Sequence, residues 1–389
     1  MHKTRKVIDI ELSRPLTEEN SSQASGKFAS CQPLVSVIVP AYNAEAFILN
    51  TLNSVISQTY KNIEVIVVDD DSNDRTAQIV ESIIQKDDRV ILLRQPNSGV
   101  SVARNRAIEK SRGEYIAPID ADDIWYPQKI EKQVHCMLHA EPSTGLVYGW
   151  SVHIDKRGLL TGGYNAFNIE GYVFQELIMC NFIGNGSVPL IRRACFDQVG
   201  WYNTQVEPCE DYDLQLRIAA FYKYRVVKEF LVGYRRHISS RSFNCKDMET
   251  ARQIVIGNVK QQYPNILPCI HRWSWSHYCL YLSGQSAFCG HYWKSILYLC
   301  KGAWMSPVFL FYPEFYRLLC GGVLRLVKKM IAHVFQAVFY PSARTGEKDC
   351  SAHKDLQLSD IMIRSSRPRI GLSKLHRIRL QRIQRLFVK

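Results

Sequence analysis

Three acids, Asp120, Asp122 and Asp123, crowd the end of the apolar run Tyr115-Ile-Ala-Pro-Ile119. An apolar stretch of that length, closed by a turn signal, reads as a buried strand. Carboxylates so close repel one another, and a divalent cation would hold them together. Hard oxygen donors suit Mg²⁺ or Mn²⁺, which fill their remaining positions with water and substrate phosphate. An acidic turn that simply faces water is the plainer reading of one Asp-x-Asp taken alone. Polar groups also close two earlier runs, Pro40-Ala-Tyr-Asn43 after residues 34–39 and Asp69-Asp-Asp-Ser72 after residues 63–68. Later, Glu207-Pro-Cys-Glu-Asp-Tyr-Asp-Leu-Gln-Leu-Arg217 is an acidic cluster that opens an amphipathic helix. Glu210 and Asp211 would also suit that helix's first turn as acids at the positive end of its dipole.

The elements that must position these groups follow from hydrophobic spacing. Strands at 34–39, 63–68, 90–93 and 115–119 alternate with helical patterns at 44–58, 76–85 and 99–110. That alternation predicts βαβ units and an α/β fold with a mostly parallel sheet flanked by helices. Open α/β sheets bind ligands outside the carboxyl ends of their strands, so the polar ends at Pro40, Asp69 and Asp120 describe one site. No Gly-x-Gly-x-x-Gly follows the first strand and no Gly-x-x-x-x-Gly-Lys-Ser/Thr occurs, so neither a dinucleotide fold nor a P-loop is supported. Further along, a helix at 129–139, strands at 146–153 and 187–191, a short helix at 193–199 and a strand at 226–234 are expected. From about Met248, aromatic and Leu-rich segments at helical spacing predict a C-terminal helical appendage.

The domain boundaries read as a disordered arm at 1–32, an α/β domain at 33–245, helices at 246–341, and a linker with a basic amphipathic tail at 342–389. Segment 361–389 holds nine Lys or Arg and no acid, with an apolar stripe through Leu372, Leu375, Ile378, Ile383, Leu386 and Phe387. Such a tail suits an anionic membrane surface or remains solvated. Nucleic acid is disfavoured, because aromatics do not interleave the charges and no recognised binding module accompanies them. The 389 residues carry a net charge of +13, which favours anionic partners. The 12 cysteines include no Cys-x-x-Cys pair. They read as reduced thiols of a cytoplasmic protein, possessing neither a signal peptide nor a membrane-spanning helix.

Five stretches in order carry a resemblance: Val35-Ser-Val-Ile-Val-Pro-Ala-Tyr-Asn43, Val67-Val-Asp-Asp-Asp-Ser-Asn-Asp-Arg-Thr76, Asn97-Ser-Gly-Val-Ser-Val-Ala-Arg-Asn-Arg-Ala107, Asp120-Ala-Asp-Asp123 and Glu210-Asp-Tyr-Asp-Leu-Gln-Leu-Arg217. Together they resemble the family 2 glycosyltransferases over about residues 33–240. The resemblance implies a GT-A, Rossmann-like nucleotide-sugar fold and a divalent cation, Mn²⁺ or Mg²⁺. The donor would be a nucleoside diphosphate sugar, commonly of UDP, and the acceptor a glycan or lipid-linked hydroxyl in cell-surface polysaccharide synthesis. It implies that Pro40, Ala41, Tyr42 and Glu45 flank base and ribose, and that Asp70 accepts from the base. Arg104 and Asn105 would lie near the nucleotide, Asp120 would face the ribose, and Asp122 would ligate the metal with His237 nearby. Asp211 would be the general base of an inverting transfer, with Glu210 beside it. Asp71 departs from the family's usual Gly at a turn where φ > 0 is favoured.

Two rival readings remain at this point. A nucleotidyltransferase has a similar sheet but calls for a Gly-rich basic loop after the first strand, which residues 40–43 do not provide. A non-catalytic, membrane-associated protein could keep the fold without the chemistry, yet here Asp122, Asp211 and His237 are all present.

Overall fold

The computed structural model describes residues 32–237, 240–266, 268–311 and 313–339. The expectations for the arm, the linker and the basic tail fall on 1–31 and 340–389, outside the described residues. β-Branched runs make the first strands. β1 (Val35–Ala41) and β2 (Ile63–Asp69) are buried at every position, as strands covered on both faces must be. β3 (Val90–Arg94) is the more exposed edge, and β4 (Tyr115–Pro118) is buried throughout. Helices α1 (Ile48–Ile56), α2 (Thr76–Ile84) and α3 (Val100–Lys110) link them. The four strands run parallel in the order β3-β2-β1-β4, with Ala41 opposite Asp69 and Ile38 opposite Pro118. Their carboxyl ends therefore share one edge of the sheet.

The second half adds β5 (Ile124–Trp125), α4 (Lys129–Leu138), β6 (Thr144–Ile154), β7 (Leu160–Asn165) and α5 (Phe174–Met179). It continues with β8 (Leu190–Arg192), α6 (Ala194–Val199), α7 (Glu210–Ala219) and β9 (Lys223–Arg235). The sheet continues β8-β6-β9-β5, with β7 paired to β6, for nine strands in all. Direction is mixed here. β8 is antiparallel to both β4 and β6, and β5 is antiparallel to β9. β6 and β9 are parallel because a long crossover through α5, α6 and α7 separates them. The sheet is thus parallel where helices alternate with strands and mixed beyond Asp120.

Helices α8 (Cys245–Gln262), α9 (Pro268–Phe288), α10 (Tyr292–Met305) and α11 (Pro313–Phe339) follow. Asn244 caps α8 by accepting from the Asp247 N–H. Met248, Val255, Val259, Tyr278 and Leu282 belong to the same apolar core as β1 and β2, so α8 and α9 complete the sheet's core. Among the described residues no helix is long and apolar enough to cross a membrane, and the ten described cysteines are free.

Candidate active site

The turn after β4 is built by its own acids. The Asp123 N–H donates to the Asp120 carbonyl at 3.1 Å. The buried Asp123 carboxyl accepts from Ser187 Oγ at 2.5 Å and from the Arg235 N–H at 2.8 Å. Ser187 Oγ also accepts from the Asp120 N–H at 3.0 Å, so one hydroxyl ties both ends of the acidic turn to the loop before β8. Burial first, then the charges of Asp122 and Asp120, push the Asp123 carboxyl well above the usual carboxylate range. Asp123 is therefore a structural brace. Asp122, held through its carbonyl by Arg235 Nε at 2.6 Å, turns its carboxylate outward. Its Oδ2 lies 2.9 Å from His237 Nε2, and the His237 ring stacks on Phe47 at 5.2 Å.

Arg104 on α3 joins this turn to α7. Its guanidinium reaches Asp120 Oδ1 at 2.5 Å and Glu210 Oε1 at 2.7 Å, and lies 5.1 Å from the centre of the Tyr202 ring. The Arg104 side chain is 3% exposed and that of Glu210 5%. Burial alone would disfavour the charge, but Asp120 and Glu210 more than offset it and hold the guanidinium protonated. Arg241 adds a second cation to Glu210 at 3.3 Å and reaches Glu207 at 2.8 Å. Glu210 is thus sequestered between two arginines. Asp211, the next residue, keeps an exposed edge and accepts only from its own neighbour, the Tyr212 N–H, among the hydrogen bonds seen. Crowding by protein, and secondarily the Glu210 charge, raise its carboxyl to about 7 against the opposing pull of Arg104. Two adjacent acids therefore have different characters, one a buried anchor and one a reachable group poised near neutrality.

The remaining predicted residues lie at the end of β1, on the turns after β1 and β2, and on α3. Pro40 and Ala41 end β1 in the core, and Tyr42 beside them is 51% exposed. Glu45 accepts from the Arg75 N–H at 3.1 Å and from Arg75 Nε at 3.2 Å, which binds the β1 and β2 turns together. Asp71 adopts a φ of 68°, the left-handed turn that suits Gly and that Asp tolerates. Asp70 is buried and accepts from Gln95 Nε2 at 2.7 Å and from the Ser98 and Gly99 N–H groups, each at 2.9 Å. It orders the loop entering α3 and retains lone-pair capacity. Asn105 faces away from this group, and its amide both donates to and accepts from the Tyr202 backbone, each at 2.9 Å. The structure thus gathers Arg104, Asp120, Glu210 and Asp211 into one cluster and Asp122 with His237 into another, while Asn105 ties down a loop.

Sequence reasoning passed over Ser187, Gly186 and Arg241. A Cβ at Gly186 would stand 3.1 Å from Arg104 Nη2 and 3.7 Å from Asp211 Cβ, so glycine keeps room beside both. The turn Asn185-Gly186-Ser187 was the available signal. No local pattern marks Arg241, whose role comes from contacts more than thirty residues away.

A sheet with acids at its carboxyl edge, faced by an acid-opened helix, is the architecture of a GT-A glycosyltransferase. The chain belongs to glycosyl transferase family 2, whose model matches residues 36–193. An uncharacterised glycosyltransferase of Methanocaldococcus jannaschii is 32% identical over 211 residues, 52% of this chain and 71% of its own. A candidate teichuronic acid biosynthesis glycosyltransferase of Bacillus subtilis is 44% identical over 108 residues, 28% of this chain and 43% of its own. Among solved structures, S. aureus TarS 1–349 in complex with UDP-GlcNAc is similar with a TM-score of 0.45 and 17% identity, covering 65% of this chain and 83% of that one.

Proposed function

We propose that the protein transfers a sugar from a nucleoside diphosphate sugar, UDP being the expected carrier, to a hydroxyl of a glycan or lipid-linked acceptor, with inversion and with a divalent cation. Cell-surface polysaccharide assembly is the proposed setting, supported by the teichuronic acid relative. One observation carries the reading. The Arg104 fork holds the strand-end acid Asp120 and the helix acid Glu210 together, which supports Asp122, two residues from the first, and Asp211, next to the second, acting on one substrate.

The Asp122 carboxylate oxygen suits Mn²⁺ or Mg²⁺, and the His237 imidazole nitrogen lies 2.9 Å from it. Among the described residues no cluster of three or more such side chains forms, so Asp122 and His237 would hold the ion from the protein side. Diphosphate and water would complete it, as is usual for Mg²⁺ in phosphate sites. When bound, the ion neutralises charge developing on the departing diphosphate. In the transfer itself, the acceptor oxygen bonds to the anomeric carbon on the face opposite the diphosphate. The carbon–oxygen bond to the diphosphate breaks and the nucleotide leaves with its electron pair. Asp211 takes the acceptor proton, a contribution of roughly 10²- to 10⁴-fold.

The test is release of free nucleotide from a panel of nucleotide sugars with Mn²⁺ or Mg²⁺. Metal-dependent turnover lost in Asp122→Ala and Asp211→Asn is expected, and undiminished turnover in either variant would remove this mechanism.

A further inference from the structure

α10, α11 and the short Pro307–Phe311 helix between them reverse the ordinary amphipathic pattern. Ser295, Leu299 and Gly302 of α10 are buried. Trp293, Leu297, Cys300 and Trp304 are exposed at spacings that place them along one stripe. In α11, Phe315 is buried while Tyr316, Cys320, Val323, Leu324 and Val327 are exposed along one stripe. Trp304 is 86% exposed, Phe311 85% and Leu324 62%. Contiguous exposed apolar surface of this kind marks an interaction site.

The two stripes adjoin. Arg325 lies 5.7 Å from the Tyr292 ring centre, Gly322 sits against Ile296, and Phe315 clusters with Leu299. Ascending numbers on α10 meet descending numbers on α11, so the helices are antiparallel. At about 100° per residue, the exposed stripe lies about 100° around α10 from its contact line with α11, and about 155° around α11 from the same line. In an antiparallel pair those two rotations leave the stripes about 80° apart, on adjoining faces of one convex surface. Lys294 and Lys301 then border the strip along the outer flank of α10, and Arg317 and Lys328 border it beyond the α11 stripe, all four exposed. Lys301 also pairs with Glu249 at 2.7 Å. From Tyr292 to Lys328 the only acid is Glu314.

We infer that this face docks on an anionic lipid bilayer, lying in the interface with its aromatic and aliphatic side chains among the headgroups. Charge complementarity selects the occupant. A second copy would bring an identical basic border against this one. The chain's own segment 361–389, with nine cationic side chains and no acid, carries the same sign. An anionic bilayer alone of the three offers apolar depth between negative headgroups, where Trp and Tyr at the boundary and flanking Lys and Arg are the expected contacts. The inference goes beyond the proposed transfer and is read without it, because vesicle binding requires no turnover.

The experiment floats the full chain with phosphatidylcholine vesicles and with mixed phosphatidylcholine–phosphatidylglycerol vesicles. Wild type should float with the mixed vesicles and release them as salt is raised. Trp293→Ser/Leu297→Ser/Trp304→Ser/Leu324→Ser should weaken binding by roughly tenfold or more, with unchanged thermal melting as the control for folding. Full-length Arg377→Gln/Arg379→Gln/Arg382→Gln/Arg385→Gln should still float. The inference is overturned if wild type ignores anionic vesicles or if the Ser variant floats as wild type does. It is equally overturned if the Gln variant alone loses binding, or if the Ser substitutions convert a solution dimer into a monomer without altering flotation.

Discussion

Asp211 and Glu210 differ by one position and by almost everything else. Glu210 is buried and fixed by two guanidiniums, whereas burial, and then the Glu210 charge, raise the Asp211 carboxyl to about 7. As a general base, Asp211 must be deprotonated, so kcat/KM should rise with pH and level off above an apparent value of about 7. A flat profile between mild acid and mild alkali would count against Asp211. The same shift has a stability consequence. An aspartate near 3.8 in the unfolded chain and about 7 in the folded one binds its proton more tightly when folded. Its contribution is present in full below the unfolded value and is lost as pH rises through 7. Asp211→Asn should therefore melt no lower than wild type above neutrality while losing turnover. Arg104 presents the opposite case. Arg104→Ala leaves Asp120 and Glu210 facing each other without their shared cation, which costs about 3–5 kcal/mol. Denaturant titration should show that loss, and Arg104→Lys should recover only part of it, because an ammonium cannot fork between two carboxylates.

At the scale of elements, the loop 200–207 is what α3 holds in place. Asn105 fastens it by a reciprocal pair of hydrogen bonds to Tyr202, and Ser101 N–H donates to Glu207 at 2.8 Å. Asn105→Ala should lower stability by about 1–3 kcal/mol, the cost of stranding backbone groups, while KM for the donor stays nearly constant. A large KM change with unaltered stability would instead mean that Asn105 touches the nucleotide. This residue also shows where sequence reading stops. The motif around Arg104 and Asn105 was legible, and so were the strands β1 to β4, because β-branched runs closed by polar turns leave little ambiguity. Which of two neighbouring polar residues joins the acidic cluster depends on helix rotation against a partner about a hundred positions away, and local pattern holds no trace of that. β5 is two residues long and β7 carries two glycines, so neither offers a period to detect. Asp123 looked equivalent to Asp122 in sequence, and only Ser187 and the Arg235 backbone distinguish brace from ligand candidate.

Across the whole molecule, the C-terminal helices support the site helix directly. Arg252 of α8 is buried, with its guanidinium 3.9 Å from the centre of the Tyr212 ring and 5.0 Å from that of Tyr278. Its Nη2 donates to the Ile178 carbonyl at 3.1 Å and to Ser274 Oγ at 3.0 Å. One side chain thus connects α5, α7, α8 and α9, and the ring it covers belongs to the residue after Asp211. Two consequences follow from this placement. The described sheet and helices α8 and α9, sharing one apolar core, should unfold in a single calorimetric transition, and two separated peaks would show that the helices are an independent unit. Arg252→Ala should lower that transition, since it leaves buried acceptors without a donor and opens space beside Tyr212. It should also reduce kcat more than it raises KM for the donor, because Asp211 moves with Tyr212 while the residues proposed to flank base and ribose sit on the β1 and β2 turns. An Arg252→Ala variant with a lowered melting temperature and an unchanged kcat would restrict Arg252 to holding the helices together and free Asp211 from any dependence on them.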